Sequence, residues 1–115
     1  MKYKRGDVVL VLFPDSNLRT AKRRPALIIQ ADDLRTGLPQ TIVAMITSNP
    51  ARVGHPSRVG VSLSTPEGQR SGLKTDSVIA TDNLATIAEN EIDRTIGSFG
   101  EMKTIDAALR VTLAV

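Results

Sequence analysis

The chain has no cysteine, no tryptophan and a single histidine. Without cysteine there is neither a disulfide framework nor a thiolate metal site. One histidine makes a histidine-based metal cluster implausible, so no metal and no cofactor are expected. Aromatic residues make up only 3% of the sequence, too few for a platform on which nucleic-acid bases stack in succession. No apolar run approaches the length of a membrane span, and the run Val8 to Phe13 is too short for a signal-peptide core. The expectation is therefore a cytoplasmic protein without a membrane partner. Nucleotide-binding glycine patterns, a Ser/His/Asp catalytic order and metal-ligand spacings are also missing.

What is present is 115 residues, enough for one domain with one hydrophobic core, at 41% hydrophobic content. The charge is unevenly placed. Residues 1–74 carry 12 Lys and Arg against 5 Asp and Glu, a net of +7, whereas residues 75–115 carry 3 against 7, a net of −4. Many of the cations fall where loops are expected: Arg19, Lys22, Arg23, Arg24, Arg52, Arg58, Arg70 and Lys74. A basic, loop-borne half suits a polyanion or an acidic protein partner, and it also fits a solvated surface.

The organising stretch is Lys22-Arg23-Arg24-Pro25-Ala26-Leu27-Ile28-Ile29. Pro25 suits the first residue of a strand and pushes Arg24 towards extended geometry. Pro25 to Gln30 is then a strand, and Arg24 the last residue of a loop at its mouth. Further strands are expected at Asp7 to Phe13, Thr41 to Thr47, Val59 to Leu63, Ser77 to Ala80, Ala85 to Ile87 and Ile92 to Phe99. The runs Asp7 to Phe13 and Ala26 to Ile29 read as buried on both faces. Turns are expected at Pro14 to Asn17 and Asp82 to Leu84, a helical turn at 31–37 closed by Gly37, and loops at 51–58 and 65–72. Thr104 to Ala114 reads as an amphipathic helix capped by Thr104, with Ile105, Ala108, Leu109 and Leu113 on its apolar face. The pattern predicts a mostly β fold: a small antiparallel barrel or rolled sheet with one C-terminal α-helix.

Arg24, Thr47, Ser48 and Asp82 lie at expected strand ends, which one barrel rim can bring together. A guanidinium holds a phosphate bidentately, a hydroxyl donates to a developing oxyanion, and a carboxylate accepts a proton. Together they suit a metal-free transfer at a phosphodiester, where an RNA 2′-OH is the internal nucleophile. Each also has a plainer reading: Arg24 as a surface cation, Thr47-Ser48 as a turn-starting pair, Asp82 as an Asx-turn residue.

The chain resembles the MazF/PemK (Kid) family of toxin endoribonucleases. The resemblance lies in Arg5-Gly6-Asp7-Val8, Arg24-Pro25-Ala26-Leu27-Ile28-Ile29, Val43-Ala44-Met45-Ile46-Thr47-Ser48, Asp76-Ser77-Val78-Ile79, Thr86-Ile87 and Ile96-Gly97, in that order along nearly the whole chain. It implies one toxin domain over 1–115, an SH3-like barrel of the CcdB/PemK kind, active as a homodimer. It implies metal-independent, sequence-specific cleavage of single-stranded RNA to a 2′,3′-cyclic phosphate, and a cognate acidic antitoxin that folds on binding. By the same resemblance Arg24 and Thr47 are catalytic, with Asp82 at an acid position proposed as base. Ala80 and Ala85 stand where members can carry Arg. Lys22, Arg23, Ser48, Arg52, His55 and Arg58 are the candidate RNA contacts, although the loop position of His55, in a variable segment of the family, favours a plain exposed residue. Two other functions share the fold: a non-enzymatic poison like CcdB, whose C-terminal Trp is missing here, and an RNA-binding barrel without catalysis.

Overall fold

The computed structural model describes residues 2–14 and 19–115. The chain runs β1 (Asp7–Pro14), β2 (Ala21–Ile28), β3 (Gln40–Thr47), β4 (Arg58–Val61), α1 (Pro66–Arg70), β5 (Ser77–Ala88), a 3₁₀ turn (Glu89–Glu91), β6 (Ile92–Ser98) and α2 (Met102–Leu113). The strands form a six-stranded sheet in the order β4-β5-β3-β2-β1-β6. Every pairing within it is antiparallel. The mostly β class with a C-terminal helix is as expected, but no ladder closes the sheet between its edge strands β4 and β6.

The apolar runs of the central strands feed both faces of the sheet. Val8, Leu27, Ala44 and Ile46 join one buried cluster, with Phe99 and, from α2, Ile105 and Ala108. Their immediate neighbours Val9, Ala26, Ile28, Val43 and Met45 join a second, with Tyr3, Ile87 and Ile92. Side chains alternate faces along a strand, so burial of consecutive residues needs cover on both sides. Tight rolling explains two glycines. A Cβ on Gly68 would come within 1.9 Å of the Ser62 carbonyl oxygen. One on Gly97 would meet the Ser71 carbonyl carbon at 2.3 Å.

The structure corrects four local readings. Arg24 does not end a loop: β2 begins at Ala21, and Val11↔Arg24, Leu12↔Arg23 and Phe13↔Lys22 are register pairs with β1. A basic stretch can extend as a strand where only its backbone needs a partner. Residues 77–88 form one strand, not two joined by a turn. The β3 register passes from Met45↔Ala80 to Ala44↔Leu84, leaving Thr81, Asp82 and Asn83 as a bulge. Thr65 to Gly72 contains the short helix α1, whose N-cap Thr65 Oγ1 accepts the Gly68 N–H at 3.1 Å. Residues 31–37 are not helical, although Gly37 does take positive φ.

The C-terminal helix starts at Met102, two residues before the expected cap, with Glu101 as N-cap. Asp106 is held by Arg5, whose Nη2 donates to its Oδ1 at 2.6 Å while Nε donates to the Ile29 carbonyl at 2.9 Å. This ties the N-terminal segment to α2. The expected turn at Pro14 to Asn17 falls largely outside the described residues.

Candidate active site

The site grows out of the way β2 and β3 part. Their pairing covers only Ala26↔Met45, Leu27↔Ala44 and Ile28↔Val43. Extending that register by two residues sets Arg24 against Thr47. There the ladder has opened: β2 continues on β1 alone, and β3 on β5 alone through Ile46↔Ile79 and Thr47↔Val78. Pro25, which has no N–H to give, stands where the β3 pairing begins.

The fork holds a cavity of about 690 Å³. Arg23, Arg24 and Pro25 line one wall, and Met45 to Ser48 line the other. Lys74, Thr75, Asn83 and Arg94 complete it. Among the described residues no carboxylate lines this space, so its field is positive. Asp93, just outside, accepts from Arg94 at 3.1 Å and pairs with Arg23 at 3.2 Å. Thr47 Oγ1 accepts the Asn49 N–H at 3.1 Å, which orients the hydroxyl and leaves its proton available for donation. The Lys74 wall depends on Gly72, which has φ +75° and whose Cβ would stand 2.0 Å from the Ile96 carbonyl oxygen.

Of the residues singled out from the sequence, Arg24, Thr47, Ser48 and Arg23 meet in this cavity. Lys22 is exposed on β2, and Arg52 is exposed in the 51–54 turn with φ 64°. Asp82, Arg58 and His55 form a separate cluster. Arg58 Nε lies 2.9 Å from Asp82 Oδ1, and the Ser57 hydroxyl donates to Asp82 Oδ2 at 3.2 Å. The same hydroxyl is 2.8 Å from His55 Nδ1. Partial burial pushes the Asp82 carboxyl up. Hydrogen bonding and charge from Arg58, with the Ser57 hydroxyl, outweigh that and hold it below the ordinary carboxylate value.

These are the residue types of a hydrolytic triad, but the wiring differs, since Ser57 sits between the other two and is buried at 3% exposure. A carboxylate with both oxygens engaged and lowered basicity is a poor proton acceptor. Within one chain Asp82 lies outside the cavity.

Sequence reasoning missed Asn83 and Arg94. Asn83 was hidden in an apparent turn that is a bulge, and Arg94 lies in a strand that only the rolled sheet brings round. Lys74 was visible only as one of several loop cations.

The sequence of residues 4–113 matches the family described as PemK-like, MazF-like toxin of type II toxin–antitoxin system. The chain belongs to this family. It is 31% identical over 118 residues to endoribonuclease EndoA of Bacillus subtilis, covering 100% of this chain and 97% of that protein. Toxin MazF-mt6 of Mycobacterium tuberculosis has a similar fold at 23% identity and TM-score 0.75, covering 95% of this chain and 97% of that one. So does a mycobacterial endoribonuclease solved in complex with its cognate antitoxin, at 20% identity and TM-score 0.74, covering 98% and 96%. In this member of the family the fork of two strands holds a cation and a hydroxyl in a cavity that, among the described residues, no carboxylate lines.

Proposed function

We propose that this toxin is an endoribonuclease that cuts single-stranded RNA at short sequences, without a metal, in the cytoplasm. The observation that carries the reading is the placing of Arg24 against Thr47 where β2 and β3 separate, in a cationic cavity. An RNA strand there has its scissile phosphate on Arg24. The 2′-oxygen attacks phosphorus as its proton passes to water, the P–O5′ bond breaks, and the 5′-oxygen takes a proton from water, so the products are a 2′,3′-cyclic phosphate and a 5′-OH. Negative charge grows on the non-bridging oxygens during attack. A bidentate guanidinium and the Thr47 O–H stabilise that charge more than they stabilise the ground state. Arg23, Lys74 and Arg94 contact flanking phosphates, with Lys22 at the margin.

A second copy of the chain and a cognate antitoxin complete the biology. The end of α2 exposes Val111, Leu113 and Val115 at 54%, 53% and 82%, apolar surface that a two-fold contact would cover. An acidic antitoxin segment, disordered alone, would order itself across the cationic cavity and cover Arg24.

The decisive measurement is single-turnover cleavage of a short RNA in chelator, with circular dichroism as folding control. Arg24→Ala should lower the rate by ~10²–10³-fold, the usual loss for one preorganised donor to a transition-state oxyanion. Arg24→Lys should be badly impaired as well, because an ammonium lacks the planar fork. A folded Arg24→Ala protein that cuts at the parent rate would place the chemistry elsewhere.

A further inference from the structure

The bulge in β5 presents one side chain to the cavity and anchors the other two behind it. Thr81 is fully buried; its N–H and Oγ1 both donate to the Ser57 carbonyl, at 3.1 and 2.6 Å. The Oγ1 also contacts the Thr112 hydroxyl of α2 at 2.9 Å. Asp82 is gripped by Arg58 and Ser57. Arg58 is itself only 16% exposed, and its Nε meets the 36% exposed Asp82 carboxylate as a charge pair without an aligned hydrogen bond. Asn83 alone reaches the cavity shared by Arg24 and Thr47. Asn83 is exposed, so its side-chain amide can meet a ligand there.

We propose that Asn83 is the residue that reads one RNA base by its edge, and that Asp82 is a positioning residue whose grip on Arg58 and Ser57 holds the bulge so that the Asn83 amide points at that base. This rests on the endoribonuclease reading above and names its specificity element. A carboxamide offers a donor and an acceptor side by side, the pattern that matches a base edge bidentately. Unstacked bases of single-stranded RNA expose those edges. The other polar groups of the cavity are cations and hydroxyls, which suit phosphate and sugar. With aromatics this scarce, stacking contributes little, so edge contacts carry the discrimination.

The test uses the whole protein and a randomised single-stranded RNA built from 2′-fluoro nucleotides. That pool lacks the attacking hydroxyl, so selection of bound sequences reports base preference apart from cleavage. The parent should favour one base at one position by about 10–100-fold. Asn83→Ala, an exposed substitution, should flatten that position and leave the others. Asp82→Asn and Arg58→Met should blur the same position. On ordinary RNA, Asp82→Asn should keep the rising limb of the pH–rate profile, which loss of the proton acceptor would remove. The inference is overturned if the parent selects no base, if Asn83→Ala selects as the parent does, or if Asp82→Asn loses the rising limb. A parent that selects sequences but cuts no RNA would refute the endoribonuclease reading and leave the role of Asn83 standing.

Discussion

At the scale of the residue, single groups around the candidate site are held by neighbours that leave one function free. Thr47 takes an N–H from Asn49 on its oxygen and keeps its proton available for donation. Asp82 shows the opposite case, with both oxygens engaged by Arg58 and Ser57. That engagement has a pH signature. The pKa of Asp82 is lowered by the fold, so its contribution to stability is complete above the unfolded value, about 4. It is lost as pH falls through the lower folded value. In denaturant melts, the stability gap between the parent and Asp82→Asn should be constant at neutral pH and close progressively below about pH 4. The gap should be small, because the carboxylate is 36% exposed and water screens it. A gap unchanged down to strong acid would mean that the ion pair does not stabilise the fold.

At the scale of the element, what matters is where ladders stop. β2 and β3 pair over a short stretch and then take different partners, and the cavity is the space between them. Its far wall is the segment after α1, pressed against β6. Gly72 makes that approach possible, having both positive φ and no side chain where Ile96 supplies backbone. Gly72→Ala would incur strain and a backbone clash together, at least ~1–3 kcal/mol. A lowering of Tm by roughly 4 °C or more should follow. Because Lys74 moves with this wall, cleavage should slow by more than the melt predicts at the assay temperature. A Gly72→Ala protein that melts like the parent would show that the close packing is not kept in solution.

At the scale of the whole molecule, charge is concentrated around one cavity and apolar surface around the end of α2. These are separate faces, and the proposed function gives each its own partner. Light scattering of the toxin alone should give twice the 12.4 kDa chain mass, and Leu113→Asp should shift it to the monomer. Adding the acidic antitoxin should release bound RNA, since both need the cations around Arg24. Simultaneous binding with undiminished affinity would separate the two surfaces, and a monomeric parent that still cuts RNA would remove the need for a dimer.

The sequence by itself determined the local chemistry and most of the strands. Apolar runs at Val8 to Val11, Ala26 to Ile28 and Val43 to Ile46 are legible because burial on both faces needs unbroken hydrophobicity, whereas Leu12, 43% exposed, was read as buried and is not. Arg24-Pro25 and Thr47-Ser48 are legible because their residue types are uncommon at the edge of such runs. Strand bounds on the polar side were not legible: Ala21 to Arg24 extends because β1 lends it hydrogen bonds, not because of its side chains. Only the tertiary structure decided the membership of the site. The parting of β2 and β3 puts Arg24 and Thr47 on the walls of one cavity, and rolling brings in Arg94 and Lys74. The bulge between Ala80 and Leu84 puts Asp82 in one environment and Asn83 in another. Adjacent residues in a chain look alike to any pattern of types and spacing. Which of them faces a cavity depends on backbone geometry set by strands far away in sequence.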